Sequence, residues 1–161
     1  MLSVTIPNSV VSIGNSAFAG CGSLQEFKGK FAADNGRILV IDGTLVAYAR
    51  SGQTEYSIPD CVTTIGEEAF NSCNLTSITI NDSVTSIKAN VFIHNYNLRG
   101  IYCNATTPPL IDGSYTFNGT PSDKKIYVPY ASIEAYKTAS GWNKYASYMV
   151  AYDFEKGEVV E

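Results

Sequence analysis

The feature that most constrains this chain is an internal repeat with a period of 22 to 23 residues. Three copies are legible: IPNSVVSIGNSAFAGCGSL at 6–24, IPDCVTTIGEEAFNSCNL at 58–75 and INDSVTSIKANVFIHNYNL at 80–98. The last two copies are adjacent, whereas the first two leave room for one divergent unit between them. A unit this short buries too little apolar surface to offset its chain entropy. The copies must therefore stack into a solenoid.

Five apolar positions recur in every copy, and we expect equivalent side chains to lie on top of one another as a continuous spine. In the first copy they are Ile6, Val10, Ile13, Phe18 and Leu24. The segment SITI at 77–80 alternates polar and apolar residues, which predicts a half-buried strand in each unit. Dividing the repeat region by the period predicts roughly four or five coils.

The divergent unit, at about 28–57, predicts a β-hairpin. Asp42-Gly43 separates two apolar runs, RILVI at 37–41 and TLVAY at 44–48. Asp-Gly between alternating apolar runs is a strong short-range hairpin signal. The solenoid is therefore expected to span 1–103 and to carry one hairpin-bearing coil.

The composition changes after residue 103, and 104–161 is expected to form a degenerate last coil, a loop and a C-terminal helical cap. Thr116-Phe117 resembles a worn copy of the Ala-Phe half of the repeat, and 126–129 reads as a strand that ends in proline. From 131 to 149 the apolar spacing is helical and is broken at Ser140-Gly141. A short strand is predicted over 150–154. Such a segment would cover an open solenoid end.

The consensus IPxSVxxIGxxAFxxCxxL resembles the BspA-like leucine-rich repeat surface proteins of bacteria. The insert with its DGxLxAYA motif and the segment VPxxSxxAYxxxxGW at 128–142 are also similar to members of that family. The resemblance implies an α/β repeat solenoid, a right-handed leucine-rich-repeat-type β/α coil stack. It further implies a non-catalytic binding or adhesion module at the cell surface or outside it, with a host extracellular or surface protein as partner. Because the sequence starts within a strand pattern, we expect a longer array and a secretion signal upstream.

Charge and hydropathy disfavour several other classes of partner. The net charge is −4, neither sign forms a run, and 45% of the residues are hydrophobic. Binding to nucleic acid is therefore not expected. No apolar run reaches the ~20 residues of a membrane-spanning helix, so membrane insertion by this segment is not expected either.

Catalysis and cofactor binding have little support in the residue pattern. His94 is the only histidine, and it aligns with a turn after the Ala-Phe pair. No triad or metal motif accompanies it, and adjacent Glu67 and Glu68 point apart on a turn. We expect no enzyme activity, no metal and no cofactor. The four cysteines have no metal-ligand spacing and are interpreted as buried or partly buried thiols: Cys21, Cys61, Cys73 and Cys103.

Two surfaces are candidate binding sites. The first is the outward face of the stacked strands, whose polar positions can vary without touching the core: Ser3, Thr5, Glu26, Lys28, Ser77, Thr79 and Tyr102. The second is a set of aromatic residues in the cap that would offer a platform to a glycan: Tyr130, Trp142 and Tyr148. Core filling is the favoured explanation for the cap aromatics, because Trp142 shares one helical face with other apolar residues, and the glycan platform is the alternative.

Overall fold

The chain folds as a β-solenoid of about six turns with little helix. The structure, a computed structural model, describes residues 2–113 and 115–161. Within these residues the strands are β1 (Ser3–Ile6), β2 (Glu26–Gly29), β3 (Ala32–Ala33), β4 (Ile38–Ile41), β5 (Thr44–Tyr48), β6 (Glu55–Ser57), β7 (Thr64–Ile65), β8 (Ser77–Ile80), β9 (Ser86–Ile87), β10 (Gly100–Cys103), β11 (Leu110–Ile111), β12 (Lys125–Pro129), β13 (Met149–Asp153) and β14 (Glu158–Val159).

Two sheets run along the solenoid. The front sheet has the order β14-β13-β12-β10-β8-β6, and its strands from β6 to β13 are parallel. The side sheet has the order β11-β9-β7-β5-β4-β3. Neighbouring strands pair in the register of the repeat, as in Tyr56 with Ile78 and Ile78 with Ile101. The strand prediction and the stacking of equivalent positions are thereby confirmed.

The core is a column of rings and branched side chains between the two sheets. Phe70 and Phe92 stack with centroids 5.6 Å apart, and Phe92 and Phe117 stack at 5.4 Å with nearly parallel planes. All three rings are buried. Phe117 thus occupies the phenylalanine position of a further turn, as the worn copy predicted.

The expectation of four or five coils was too low. The segment 104–125, interpreted mainly as a loop, contributes a side-sheet strand, Leu110–Ile111, and the Phe117 ring. A proline-rich stretch can complete a turn here because the neighbouring coil supplies its hydrogen-bond partners, such as Thr85 O for Leu110 N and Ile87 O for Asp112 N.

The predicted hairpin is present and joins β4 to β5 across Asp42-Gly43. Both turn residues have positive φ, 48° and 75°, as the tight hairpin turn requires. Alternate residues of the hairpin face different cores: Ile38 lies in the larger core, whereas Leu39 lies in a smaller core around β1 and β2. The hairpin therefore separates the first coil from the rest of the spine.

The first repeat copy is packed less completely than the sequence predicted. Val10, Ile13 and Phe18 are half-buried, while the equivalent residues of the second copy are buried. Of these three side chains, Phe18 borders an open groove of about 480 Å³ next to Leu24. The spine is complete only from the hairpin onward.

The C-terminal cap is helical, as predicted, but the helices are short. A 3-10 turn (Tyr130–Ser132) leads into α1 (Ile133–Thr138), and a second 3-10 helix follows at Asn143–Tyr148. The break falls at Gly141, whose φ is 84°. β13 then pairs with β12, and β14 folds back antiparallel to β13.

Candidate binding face

The outward side chains of the front sheet form rows that cross the strands. One row runs through Ser57, Thr79, Tyr102, Tyr127 and Val150, each residue being paired with the next in the strand register. Side chains on this side alternate with buried core residues along each strand. The rows therefore lie on a backbone that the core holds in place. We call the outward side of β6, β8, β10, β12 and β13 the binding face.

Aromatic side chains occupy the C-terminal half of the binding face. The rings of Tyr102 and Tyr127 are stacked with centroids 4.4 Å apart and planes 10° apart. Tyr152 meets both edge-on, at 5.6 Å and 5.3 Å, and Phe154 packs edge-on against Tyr152 at 4.9 Å. All four residues are partly exposed. We call Tyr102, Tyr127, Tyr152 and Phe154 the tyrosine cluster.

Gly100 makes room for this cluster. A Cβ atom at Gly100 would lie 3.1 Å from Cε2 of Tyr102 and 3.3 Å from Cβ of Ser77. Both distances are tight, so any larger residue would displace the tyrosine ring. Desolvation among the neighbouring rings, followed by repulsion from the phenolate forms of Tyr127 and Tyr152, raises the pKa of Tyr102.

A second row of the binding face carries one charge of each sign. It runs from Glu55 through Ser77 and Gly100 to Lys125. Glu55 and Lys125 are both exposed, and within the described part of the chain neither forms an ion pair. The row thus ends in an acid on one side and a base on the other.

The predicted sheet-face residues fall into two groups. Ser77, Thr79 and Tyr102 lie together on the binding face. Ser3, Thr5, Glu26 and Lys28 lie on β1 and β2, which form a separate two-stranded sheet. Lys28 and Glu26 form an exposed ion pair at 3.0 Å.

The sheet of β1 and β2 is not paired with the front sheet, and the segment 34–37 packs against Tyr56 of β6 beside the gap. Arg37 lies over the ring of Tyr56 at 5.2 Å and pairs with Asp34, and Tyr56 donates a hydrogen bond to Asp34 at 2.7 Å. One uninterrupted display from Ser3 to Tyr102, as the sequence suggested, is therefore broken between β2 and β6.

The cap aromatics do not form a shared platform. Trp142, a member of the alternative glycan-binding set, is fully buried, and its indole N–H donates to the carbonyl of Pro109 at 2.7 Å. The ring of Tyr148 is covered by the ammonium group of Lys124 at 3.8 Å. Tyr130 is 54% exposed. Trp142 therefore fills the core, and its indole nitrogen has a hydrogen-bond partner within the protein.

Sequence reasoning missed Tyr127, Tyr152 and Phe154 as face residues. Tyr127 was recognised as part of a strand, and alternation from buried Ile126 and Val128 would have placed it outward. Its pairing with Tyr102 follows only from the register between β10 and β12. The repeat period does not supply that register because the intervening turn is irregular.

The cysteine prediction holds for two of the four thiols. Cys73 and Cys103 are buried, whereas Cys21 and Cys61 are exposed. The prediction of a buried or partly buried thiol is therefore wrong at Cys61 and at Cys21, which borders the open groove of the first coil. Burial raises the pKa of Cys73 to about 12 and also raises that of Cys103.

His94, the residue considered for catalysis, lies on a turn, as its alignment in the repeat predicted. His94 is exposed on a turn with φ 60°, and its ring neighbour is Tyr96 at 5.9 Å. Among the described residues, no group of three or more histidine, cysteine, aspartate or glutamate side chains is arranged to hold a metal ion. No helix in residues 2–113 and 115–161 has the length and apolarity to cross a membrane.

Stacked parallel strands with repeating apolar positions define the chain as a leucine-rich repeat solenoid. The BspA type leucine rich repeat region matches six copies over residues 1–32 and 46–140. The chain therefore belongs to the BspA-type leucine-rich repeat family. Comparison with curated proteins gives no match.

Two solved structures share the fold. A leucine-rich cell surface protein of Faecalibacterium prausnitzii A2-165 is 20% identical, with a TM-score of 0.59 over 95% of this chain and 48% of that one. The pneumococcal vaccine antigen PcpA is 16% identical, with a TM-score of 0.57 over 80% of this chain and 39% of that one. The chain thus spans less than half the length of either protein.

Proposed function

We propose that this chain is a non-catalytic binding module exposed on or outside a bacterial cell, and that its binding face contacts a host protein. The observation that carries the proposal is the rigid array of outward side chains on five paired strands. A surface location is supported by family membership and by the description of the Faecalibacterium prausnitzii relative as a cell surface protein.

The construction of the face suits recognition of a protein surface. Outward residues can change without altering the spine, because buried and outward positions alternate along each strand. Aromatic residues are enriched at protein interfaces, and the tyrosine cluster supplies them here.

The test uses immobilised, purified host extracellular-matrix and plasma proteins, and compares wild type with Thr79→Arg. Thr79 is a half-buried strand residue of the binding face, so arginine there should obstruct the face and reduce binding at least tenfold. Thr64→Arg is the matched control, because Thr64 is a half-buried threonine on a strand of the side sheet. Equal binding by wild type and Thr79→Arg, with Thr64→Arg unchanged, would place recognition elsewhere.

A further inference from the structure

We propose that the tyrosine cluster is the energetic centre of the binding face, and that its partner is a protein segment with an apolar anchor set between a basic and an acidic group. This inference deepens the proposed function and depends on it. It specifies which residues of the binding face dominate binding and which chemical groups of the partner they select.

The first argument is that the core does not need the tyrosine cluster. The column of Phe70, Phe92 and Phe117 is closed on the inner side of the front sheet, and its rings are buried without contribution from Tyr102 or Tyr127. The cluster instead packs on the outer side, where its rings remain partly exposed. Rigid tyrosine rings that are already packed lose little conformational entropy on binding, and interface hot spots are enriched in tyrosine.

The second argument is charge. Glu55 and Lys125 end one row of the binding face, three strand spacings apart, which is ~14 Å. One acid and one base at opposite ends disfavour a ligand of uniform charge, such as an anionic polysaccharide. They complement a segment that presents a base toward Glu55 and an acid toward Lys125.

The spacing also sets the length of the segment. An extended chain rises ~3.3 Å per residue, so ~14 Å places the two charged groups of the segment about four positions apart. Tyr102 and Tyr127 lie in the neighbouring row, toward the Lys125 end. The apolar anchor is therefore expected near the acidic residue of the segment.

A random peptide library displayed on phage provides a defined probe. We expect selection against the wild-type protein to enrich peptides with an acid and a base about four positions apart. An aromatic or aliphatic residue should lie between them, two positions from the acid, because alternate residues of an extended chain share a face. Affinity for these peptides should fall about 10- to 30-fold in Tyr127→Ala, as for an interface hot spot. Tyr96→Ala is the matched control, because Tyr96 is 67% exposed and lies on a turn outside the front sheet.

Charge reversal tests the orientation independently of the tyrosines. Selection against Lys125→Glu should replace the acidic preference by a basic one, and Glu55→Lys should replace the basic preference by an acidic one. Circular dichroism and thermal unfolding of each variant would establish that it is folded.

Each outcome either supports or overturns the inference. Peptides that lose binding in Thr79→Arg but tolerate Tyr127→Ala and both charge reversals would overturn the inference and leave the proposed function standing. Peptides insensitive to all four variants would overturn both. Glycans bound on an array through Tyr127, with no peptide enriched, would overturn the assignment of a protein partner.

Discussion

Truncation of Phe70 measures the strength of the spine. Its ring is buried and has three aromatic neighbours: Tyr48 at 4.9 Å, Phe92 at 5.6 Å and Tyr56 at 5.9 Å. Because the coils above and below are fixed by strand pairing, the surroundings have little freedom to collapse into the space. Phe70→Ala should therefore cost ~3–5 kcal/mol of unfolding free energy. At ~2–4 °C per kcal/mol for a chain of this size, the melting temperature falls by ~6–20 °C.

Phe18→Ala is the internal reference because it removes the same group at the equivalent position of the first coil. Phe18 is half-buried, has one ring neighbour, Phe27 at 5.1 Å, and borders an open groove. Its truncation creates no enclosed cavity, so the cost should be ~1–2 kcal/mol.

Urea unfolding followed by both far-UV circular dichroism and Trp142 fluorescence is the assay. Trp142 is the only tryptophan and is fully buried, so its emission reports the C-terminal end of the same core. Agreement between the two probes is needed before free energies are compared. A cost below ~1 kcal/mol for Phe70→Ala, or equal costs for the two variants, would refute the account of a continuous spine beginning at the hairpin.

Three further predictions concern buried polar groups and thiols. With Ellman's reagent at pH 8, the exposed thiols of Cys21 and Cys61 should react in the native protein. All four thiols should react after unfolding, because Cys73 and Cys103 are buried only in the folded state. Rapid reaction of four thiols in the native state would contradict this prediction. Asn95→Ala should lower the free energy of unfolding by ~3 kcal/mol, measured with urea. The buried Asn95 amide donates to the carbonyls of Phe70 and Phe92 and accepts from the N–H of Leu75. A loss below ~1 kcal/mol would mean that other groups replace these hydrogen bonds. Burial raises the pKa of Tyr48 from its ordinary value of 10.0 to about 12. The protonated hydroxyl of Tyr48 therefore contributes fully to the free energy of unfolding below pH 10, and this contribution is lost as the pH rises from 10 toward 12. Tyr48→Phe should flatten the decline in urea midpoint over that interval, and an unchanged slope would exclude Tyr48 as a cause.

The sequence predicts the fold well because the repeat forces one type of solution. Equivalent apolar residues such as Ile65 and Ile87 have to stack, since a single copy cannot bury them alone. The hairpin could also be predicted from the sequence, because Asp42-Gly43 favours a tight turn through local steric effects. These features depend on interactions that are local or strictly periodic.

The remaining features depend on contacts that no periodic pattern encodes. The exposure of Cys21 depends on the open side of the first coil, although its position in the repeat matches that of buried Cys73. Asn95 occupies the repeat position of Cys73, and its buried amide hydrogen-bonds to the neighbouring coil through Oδ1 and Nδ2. The pairing of Tyr102 with Tyr127 depends on a strand register set across an irregular turn.

The two-sided hairpin has a consequence for how the molecule opens. Leu39 and Ala47 belong to the smaller core and Ile38 and Leu45 to the larger one, so the two apolar cores are separated by the hairpin. Outside the hairpin, the first coil is tied to later coils by single polar contacts, such as that of Asn15 with Glu67. Hydrogen exchange should therefore divide the chain at this point, with fast amides in β1 and β2 and slow ones in β8, β10 and β12. The strands that carry the tyrosine cluster would then stay paired while the first coil opens. The affinity of the binding face for its partner can therefore change independently of the stability of the first coil.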